Sequence, residues 1–452
     1  MNITRTARTR RPGFTLIEVL VAAGLCMLIM VVMTQAFAAG IDTFSVLKST
    51  GELQERLAVA GTVLQSDLAA THLENQVGEP TRVSGIRFDK INAPGFEQTA
   101  HPPHRGFFRI QQEAPSTPEG SGADPDGIPC TKAGGSPNNG HILHMAIKLP
   151  GTRQDRAFTT KLPNAFWDNT DANYGNAPYP ALRNTQFLTN LQSSQNDYPV
   201  QWAEVAYFLN PTSTGTTAAG NTPLFSLHRR IRILTSNDDT GISWLSSQVA
   251  LPGMSCNRAT SPPVPPGQEK LLNGPGNITV PENRLGGKLG ARSATSAATI
   301  DNFAALGTGD DILLSNVISF EIKANWDVGP GPGALPPGWN TPNEAPFDDL
   351  PPYQSQAISA TYPSGSGNPS FSRSIDPTKP RVFDTWTDRA PHTNWAQPVI
   401  LTNPGNPQPP PIFAPNPSYV PLPIRLKAIQ IKLRIYDPKN KLARQITLIQ
   451  DM

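Results

Sequence analysis

Charge is scarce in this chain. Only 16% of its 452 residues are charged, and the formal net charge is +2. That balance excludes the basic footprint of a nucleic-acid binder and gives no pull toward acidic partners, so no nucleic acid is expected among its ligands. Cysteine is scarcer still, with three residues, too few for a disulfide-dense scaffold. Cys26 lies in an apolar run, whereas Cys130 and Cys256 lie in polar stretches rich in Gly and Pro. In an oxidising compartment these two can form a disulfide. The alternative is two unpaired thiols, because sequence does not place the two Cβ atoms.

The signatures of catalysis are also missing. The seven histidines are His72, His101, His104, His141, His144, His228 and His392, and no HExxH occurs among them. His141 and His144 stand three apart on an expected strand and so point to opposite faces. His101 and His104 flank two prolines in a loop. Gly365-Ser366-Gly367 lacks the strand-to-helix context of a nucleophile elbow. Gly287-Lys288 has no glycine at the spacing of a phosphate-binding loop. Asp124-Pro-Asp-Gly127 and Asn237-Asp-Asp-Thr-Gly241 can gather oxygens for Ca²⁺, but read more simply as turns. Neither a catalytic residue nor a metal or cofactor is expected, and the chain is not read as an enzyme.

What is abundant is proline, at 48 residues, with glycine at 36. This composition predicts long irregular loops, while 38% hydrophobic residues still suffice for a core. The segment 327–423 is the extreme case, with stretches such as Pro-Gln-Pro-Pro-Pro at 407–411. It reads as a rigid, exported, proline-rich insertion, or else as a dedicated binding loop.

The N-terminus is the most informative stretch. Residues 1–12 carry Arg5, Arg8, Arg10 and Arg11 and no acid. From Phe14 to Ile41 the single charge is Glu18. A run this long can span a bilayer, and the arginines hold its N-terminal end in the cytoplasm. A cleaved secretory signal would be shorter, although Ala36, Ala38 and Ala39 imitate its cleavage site. A plain signal anchor does not explain Glu18, since a lone carboxylate at mid-bilayer costs about 2.5–3.5 kcal/mol. Beyond the apolar run, Leu53, Leu57, Ala60, Leu64 and Leu68 recur at steps of three and four, and no proline appears before Pro80. The pattern predicts one helix from Phe14 to about Thr71, membrane-spanning over 14–40 and amphipathic over 41–72. A break near Gly40 or Gly51 is the alternative.

After Pro80 the period changes to two. Leu143, Met145, Ile147 and Leu149 share one face of a strand, and Trp202–Leu209 is nearly continuous in apolar residues, as in a strand buried on both sides. Phe225, Leu227, Ile231 and Ile233 alternate with Ser226, His228, Arg230 and Arg232. Ile318 to Trp326 alternate with Val317, Ser319, Glu321 and Lys323, and Ile429 to Ile435 with Gln430, Lys432 and Arg434. An α+β fold follows. The amphipathic half of the helix packs on an antiparallel sheet with one face on the core and the other in water. Long loops are expected at about 81–140, 150–200, 255–312 and 327–423.

The string Pro12-Gly13-Phe14-Thr15-Leu16-Ile17-Glu18 resembles the motif of type IV prepilins and pseudopilins. The resemblance covers Gly13 to about Ala23. It implies that residues 1–13 are a leader removed by prepilin peptidase between Gly13 and Phe14, with methylation of the new N-terminus at Phe14. It implies that Glu18 pairs with the N-terminal ammonium of a neighbouring subunit. It further implies a pilin fold with a head over 73–452, anchored in the bacterial inner membrane by one span with the head periplasmic or extracellular. The partners implied are prepilin peptidase, other pilins or pseudopilins, and an inner-membrane assembly platform. The hairpin around Glu204–Leu209 and Leu224–Arg230, the stretches Leu313–Phe320 and Pro423–Leu433, and Asp67-Leu68 look like those of W-type minor pilins or J-type pseudopilins of type II secretion. Gln35 stands near the place of a proline common in major pilins, which together with Glu18 points to a minor subunit at a priming or tip position. The competing reading is an exported binding or hydrolytic head that borrows a prepilin anchor.

Overall fold

A computed structural model describes residues 13–76, 79–85, 103–112, 141–150, 157–161, 197–210, 214–217, 222–235, 242–245, 253–258, 269–280, 283–284, 310–327, 347–350, 354–358, 371–375, 381–385, 398–399, 412–413 and 425–452. The chain divides into two compact units, Met1–Glu55 and Arg56–Met452.

Helix α1 runs unbroken from Leu16 to Leu68. Its leucines, alanines and methionines are strong helix formers, and the lone glycines at 40 and 51 do not interrupt it. It is shorter than expected at both ends. Thr15 caps the start, and Ala69 and Ala70 close the last turn onto the carbonyls of Gln65 and Asp67 at 2.9 and 3.3 Å. In the first unit the large apolar side chains from Phe14 to Leu47 stand exposed around the helix. An 18-residue window there has mean hydropathy 2.7, and the helix is long and apolar enough to cross a membrane.

In the second unit Leu57, Ala60, Leu64 and Leu68 are all buried, as their spacing predicts. Each of those leucines contributes about 1.5–3 kcal/mol on burial. They sit on an antiparallel sheet whose eight-strand path comprises β1 (Phe108–Gln112), β2 (Ile142–Lys148), β3 (Trp202–Leu209), β4 (Pro223–Ile233), β5 (Asp310–Asp327), β6 (Arg381–Asp384), β7 (Arg425–Asp437) and β8 (Leu442–Asp451). Their order in space is β6-β1-β2-β3-β4-β5-β7-β8, and a ninth short strand, Gly215–Thr216, pairs with the start of β4.

Three sequence expectations need correction. Two of the supposed loops supply strands of the main sheet: β1 lies inside 81–140, and β6 lies inside the proline-rich 327–423. Both are too short to show a period. Second, the sheet does not expose one whole face. β3 is buried along all eight residues, as its apolar run predicts, and the five central residues of β2 are buried as well. His228 and Arg230, expected in water, pack on the Phe208 ring at 5.8 and 5.0 Å. Part of that face lies under connecting segments, where Phe107, Ala146, Trp202, Leu234 and Ile278 form one apolar cluster. Third, strict alternation fails in β5. Asn316 takes φ 55° and the pairing with β7 slips between Val317 and Ser319, so both of these are buried.

The end of α1 is fixed to the sheet by charge. Arg229 donates through Nε and Nη2 to the two oxygens of Asp67, both at 2.8 Å. The Tyr207 hydroxyl donates to Asp67 Oδ2 and accepts from Arg229 Nε at 3.1 Å. Tyr207 and Arg229 are cross-strand partners in β3 and β4, so the two donors arrive at the carboxylate as a fixed pair. Burial, then the nearby Asp67 carboxylate, pushes the phenol far above its ordinary range and keeps it a donor. Burial opposes the Arg229 charge, but Asp67 and Tyr207 outweigh it and hold the guanidinium above its usual value.

Just past the helix, buried His72 lies with Nδ1 2.8 Å from the Ala146 carbonyl and Nε2 3.1 Å from that of Leu68. A β-carbon on Gly106, at φ 77°, would lie 2.0 Å from the His72 carbonyl, so this approach requires glycine. Burial lowers the His72 pKa from the ordinary histidine value, against the pull of the two carbonyls and Asp67.

Removing Asp67 alone (Asp67→Ala) leaves the half-buried Arg229 with only the Tyr207 hydroxyl, and is expected to cost about 1–3 kcal/mol. The double variant Asp67→Ala/Arg229→Met should recover part of this, read as thermal unfolding of the detergent-solubilised chain. His72 gives a pH dependence of known sign. Its pKa is depressed on folding, so the unfolded chain binds the proton more readily and stability falls as pH drops below about 6.5. The slope should flatten in His72→Gln over the same pH series.

Candidate functional site

The sequence places its strongest site at the start of α1. A β-carbon added at Gly13 would meet no other atom within 4 Å, and Phe14 is 88% exposed, so the bond between them is open to another protein. Thr15 and Glu18 form a reciprocal cap. The Glu18 amide donates to Thr15 Oγ1 at 3.3 Å, while Glu18 Oε2 accepts from the Thr15 amide at 2.8 Å and from its hydroxyl at 2.9 Å. This is the capping-box arrangement, and its signal, Thr15-Leu-Ile-Glu18, stands in the sequence inside the prepilin-like motif. It places a carboxylate at the positive end of the helix dipole, a favourable position that reduces the cost of a charge beside lipid.

In the head the structure assembles a buried polar cluster that the sequence did not announce. Glu204 on β3 accepts from Ser255 Oγ at 2.5 Å and lies 2.8 Å from His144 Nε2 on β2. Asn273 donates to Ser255 Oγ at 2.8 Å and to the Asn283 carbonyl at 2.6 Å. Alongside, Arg284 forks onto Asp384 at 2.6 and 3.1 Å and lies 3.8 Å over the Phe107 ring. Burial lowers the Arg284 pKa from its usual value, with Asp384 working against it. Serine, glutamate and histidine here do not make a nucleophile. Ser255 gives its proton directly to the carboxylate, and the imidazole contacts the other carboxylate oxygen rather than the hydroxyl. The cluster instead fastens residues 253–258, 273–280 and 283–284 to the face of the sheet. Its members are far apart in sequence, so no local spacing could have revealed it.

The remaining predicted residues fare differently. His141 accepts from the Ile322 amide at 2.8 Å, while His144 contacts Glu204, so the two serve separate partners. Among the described residues no group of three or more His, Cys, Asp or Glu can hold a metal. Cys26 is a free, exposed thiol in the helix. Cys130, His101, His392, both candidate Ca²⁺ loops, Gly287-Lys288 and Gly365-Ser366-Gly367 lie outside the described residues, as does the side chain of Cys256.

Residues 8–34 match the family described as the prokaryotic N-terminal methylation motif. Together with the long apolar helix, this match supports placement in the type IV pilin and pseudopilin superfamily and inner-membrane anchoring. No curated protein and no solved structure matches the chain. For the head cluster, Glu204→Leu should raise amide hydrogen exchange in residues 253–258 while leaving exchange in residues 57–68 near its native level.

Proposed function

We propose that the chain is a minor pilin or pseudopilin. Prepilin peptidase cuts it between Gly13 and Phe14 and methylates the Phe14 amine, and an inner-membrane platform then assembles it with other pilins into a type IV pilus or a type II secretion pseudopilus. The observation that carries the reading is Glu18, the one charge in the exposed apolar stretch 14–41, one turn from the amine that cleavage at Gly13 would create.

Chemistry supports each step. Gly13 lets a peptidase approach the backbone without a β-carbon in the way. The new ammonium at Phe14 gives a neighbour's Glu18 a partner once lipid is replaced by packed helices. Breaking such a buried pair costs about 3–5 kcal/mol, enough to select register during assembly. The large head, with its proline-rich segment, suits a low-copy subunit near a priming or tip position, where nothing needs to stack above it. Cys130 and Cys256 would form a disulfide on the exported side.

Two variants separate the steps. Gly13→Val should leave the precursor uncut, seen as an unprocessed N-terminus by mass spectrometry. Glu18→Ala should be cut and methylated normally, yet fall to background in the sheared fibre fraction. Native-like recovery of Glu18→Ala in fibres would refute the pairing.

A further inference from the structure

The main sheet ends in two unlike edges. On one side β6 has four residues and is held by charge, Arg381 to Asp349 at 2.9 Å and Arg284 to Asp384 at 2.6 Å. On the other side β8 runs for ten residues, Leu442–Asp451, and pairs with β7 along its whole length without a register shift. Among the described residues no strand pairs with the outer edge of β8. Natural sheets commonly blunt such an edge with proline, lysine, a bulge or a very short strand. None of these devices is present in β8.

That edge is a regular row of donors and acceptors. The Met452 amide donates to the Lys427 carbonyl at 2.9 Å, which extends the β7–β8 ladder by one hydrogen-bonded pair. Counting back by twos, Leu442, Arg444, Ile446, Leu448 and Gln450 bond to β7, while Ala443, Gln445, Thr447 and Ile449 direct N–H and C=O away from it. Those last four residues are exposed. The strand is also firmly seated. A β-carbon on Gly61 of α1 would lie 3.2 Å from Ile446 Cδ1 and 3.5 Å from Leu448 Cδ2, so the helix packs directly on β8. Charge is concentrated in the same place. Residues 425–452 carry seven Lys and Arg and two Asp, although the whole chain has a net charge of only +2. Lys432 and Arg434 stand opposite Thr447 and Gln445 on the face turned away from α1, and Lys439 and Lys441 lie in the turn between the strands.

We propose that β8 is a docking edge for an acidic, extended segment of a different protein, which adds to the sheet as one more strand. The inference does not rest on leader cleavage or fibre assembly. Only a polypeptide backbone in β conformation offers donors and acceptors at the spacing of the row from Ala443 to Ile449, which separates this ligand from a lipid surface or a nucleic acid. The positive charge selects its side chains. Strands lie about 4.8 Å apart, so an added strand stands about 10 Å from β7, a gap that a glutamate on it and Lys432 or Arg434 close between them. Ile449, 54% exposed, supplies an apolar contact on the same face. Charge also excludes a second copy of this chain, since two such hairpins edge to edge would set like charges against each other.

The test uses the full chain in neutral detergent and a labelled peptide of alternating glutamate and valine, with thermal unfolding checked for each variant. The peptide should bind and should slow amide exchange at Ala443, Gln445, Thr447 and Ile449. Thr447→Pro should lower its affinity about tenfold. Proline there leaves the ladder to β7 complete, because the Thr447 amide points away from β7. Lys432→Glu/Lys441→Glu, which leaves the backbone row intact, should also lower affinity about tenfold and flatten its dependence on salt. Absence of binding, or binding without slower exchange at those four amides, would overturn the proposal. So would native affinity in either variant. Capture of phosphatidylglycerol vesicles or of a DNA duplex that Thr447→Pro leaves intact and the peptide does not displace would overturn it as well, by showing that the cations serve a lipid or nucleic-acid surface.

Discussion

The head depends on one carboxylate. Asp67 sits in the last turn of α1 and receives Arg229 and Tyr207 from two adjacent strands. Apolar packing of Leu57, Leu64 and Leu68 is strong but non-directional, and it would tolerate a helix rotated or slid by a fraction of a turn. A bidentate guanidinium with a phenol at its side does not. The row beneath it runs Phe383–Ile110–Leu143–Tyr207–Arg229–Asp311 across six strands, so fixing the helix at Tyr207 and Arg229 fixes it relative to most of the sheet. His72 and Gly106 then bring the chain into contact with β2 directly after the helix ends.

The same helix serves two solvents. Its first part has no polar face and one acid close to its start, and its second part has a single apolar stripe. In a soluble protein the first part would be a liability, since apolar side chains so widely exposed seek cover. Its composition fits a lipid bilayer, which lacks water and penalises charge. The Thr15–Glu18 cap provides a local set of hydrogen bonds for the acid near its start.

Legibility followed the range of the interactions. The five buried positions Leu53, Leu57, Ala60, Leu64 and Leu68 could be named from their spacing, because helical periodicity is local. Strands β2, β3, β4, β5 and β7 were visible for the same reason. Strand β6 was not, since Arg-Val-Phe-Asp is too short to show alternation and becomes a strand through its ladder with β1. The burial of His228 and Arg230 was likewise hidden, because it depends on segments distant in sequence folding over their face. At the functional end the motif was legible and the cap was present in it, while the use of Glu204, Ser255 and Asn273 required the tertiary structure.

Strand β6 also changes what kind of object the proline-rich segment is. Arg381 meets Asp349 at 2.9 Å, and Asp384 is held by Arg284, so the segment is stapled to the sheet edge partway along its length. Asp348 pairs with Ala324 of β5 and the Leu350 amide donates to Gln112 of β1, so the sheet holds this stretch of sequence at 347–350 as well as at 381–385. The rim of the sheet is thus recruited from the sequence least suited to strands, and long-range pairing rather than local propensity decides where the sheet stops.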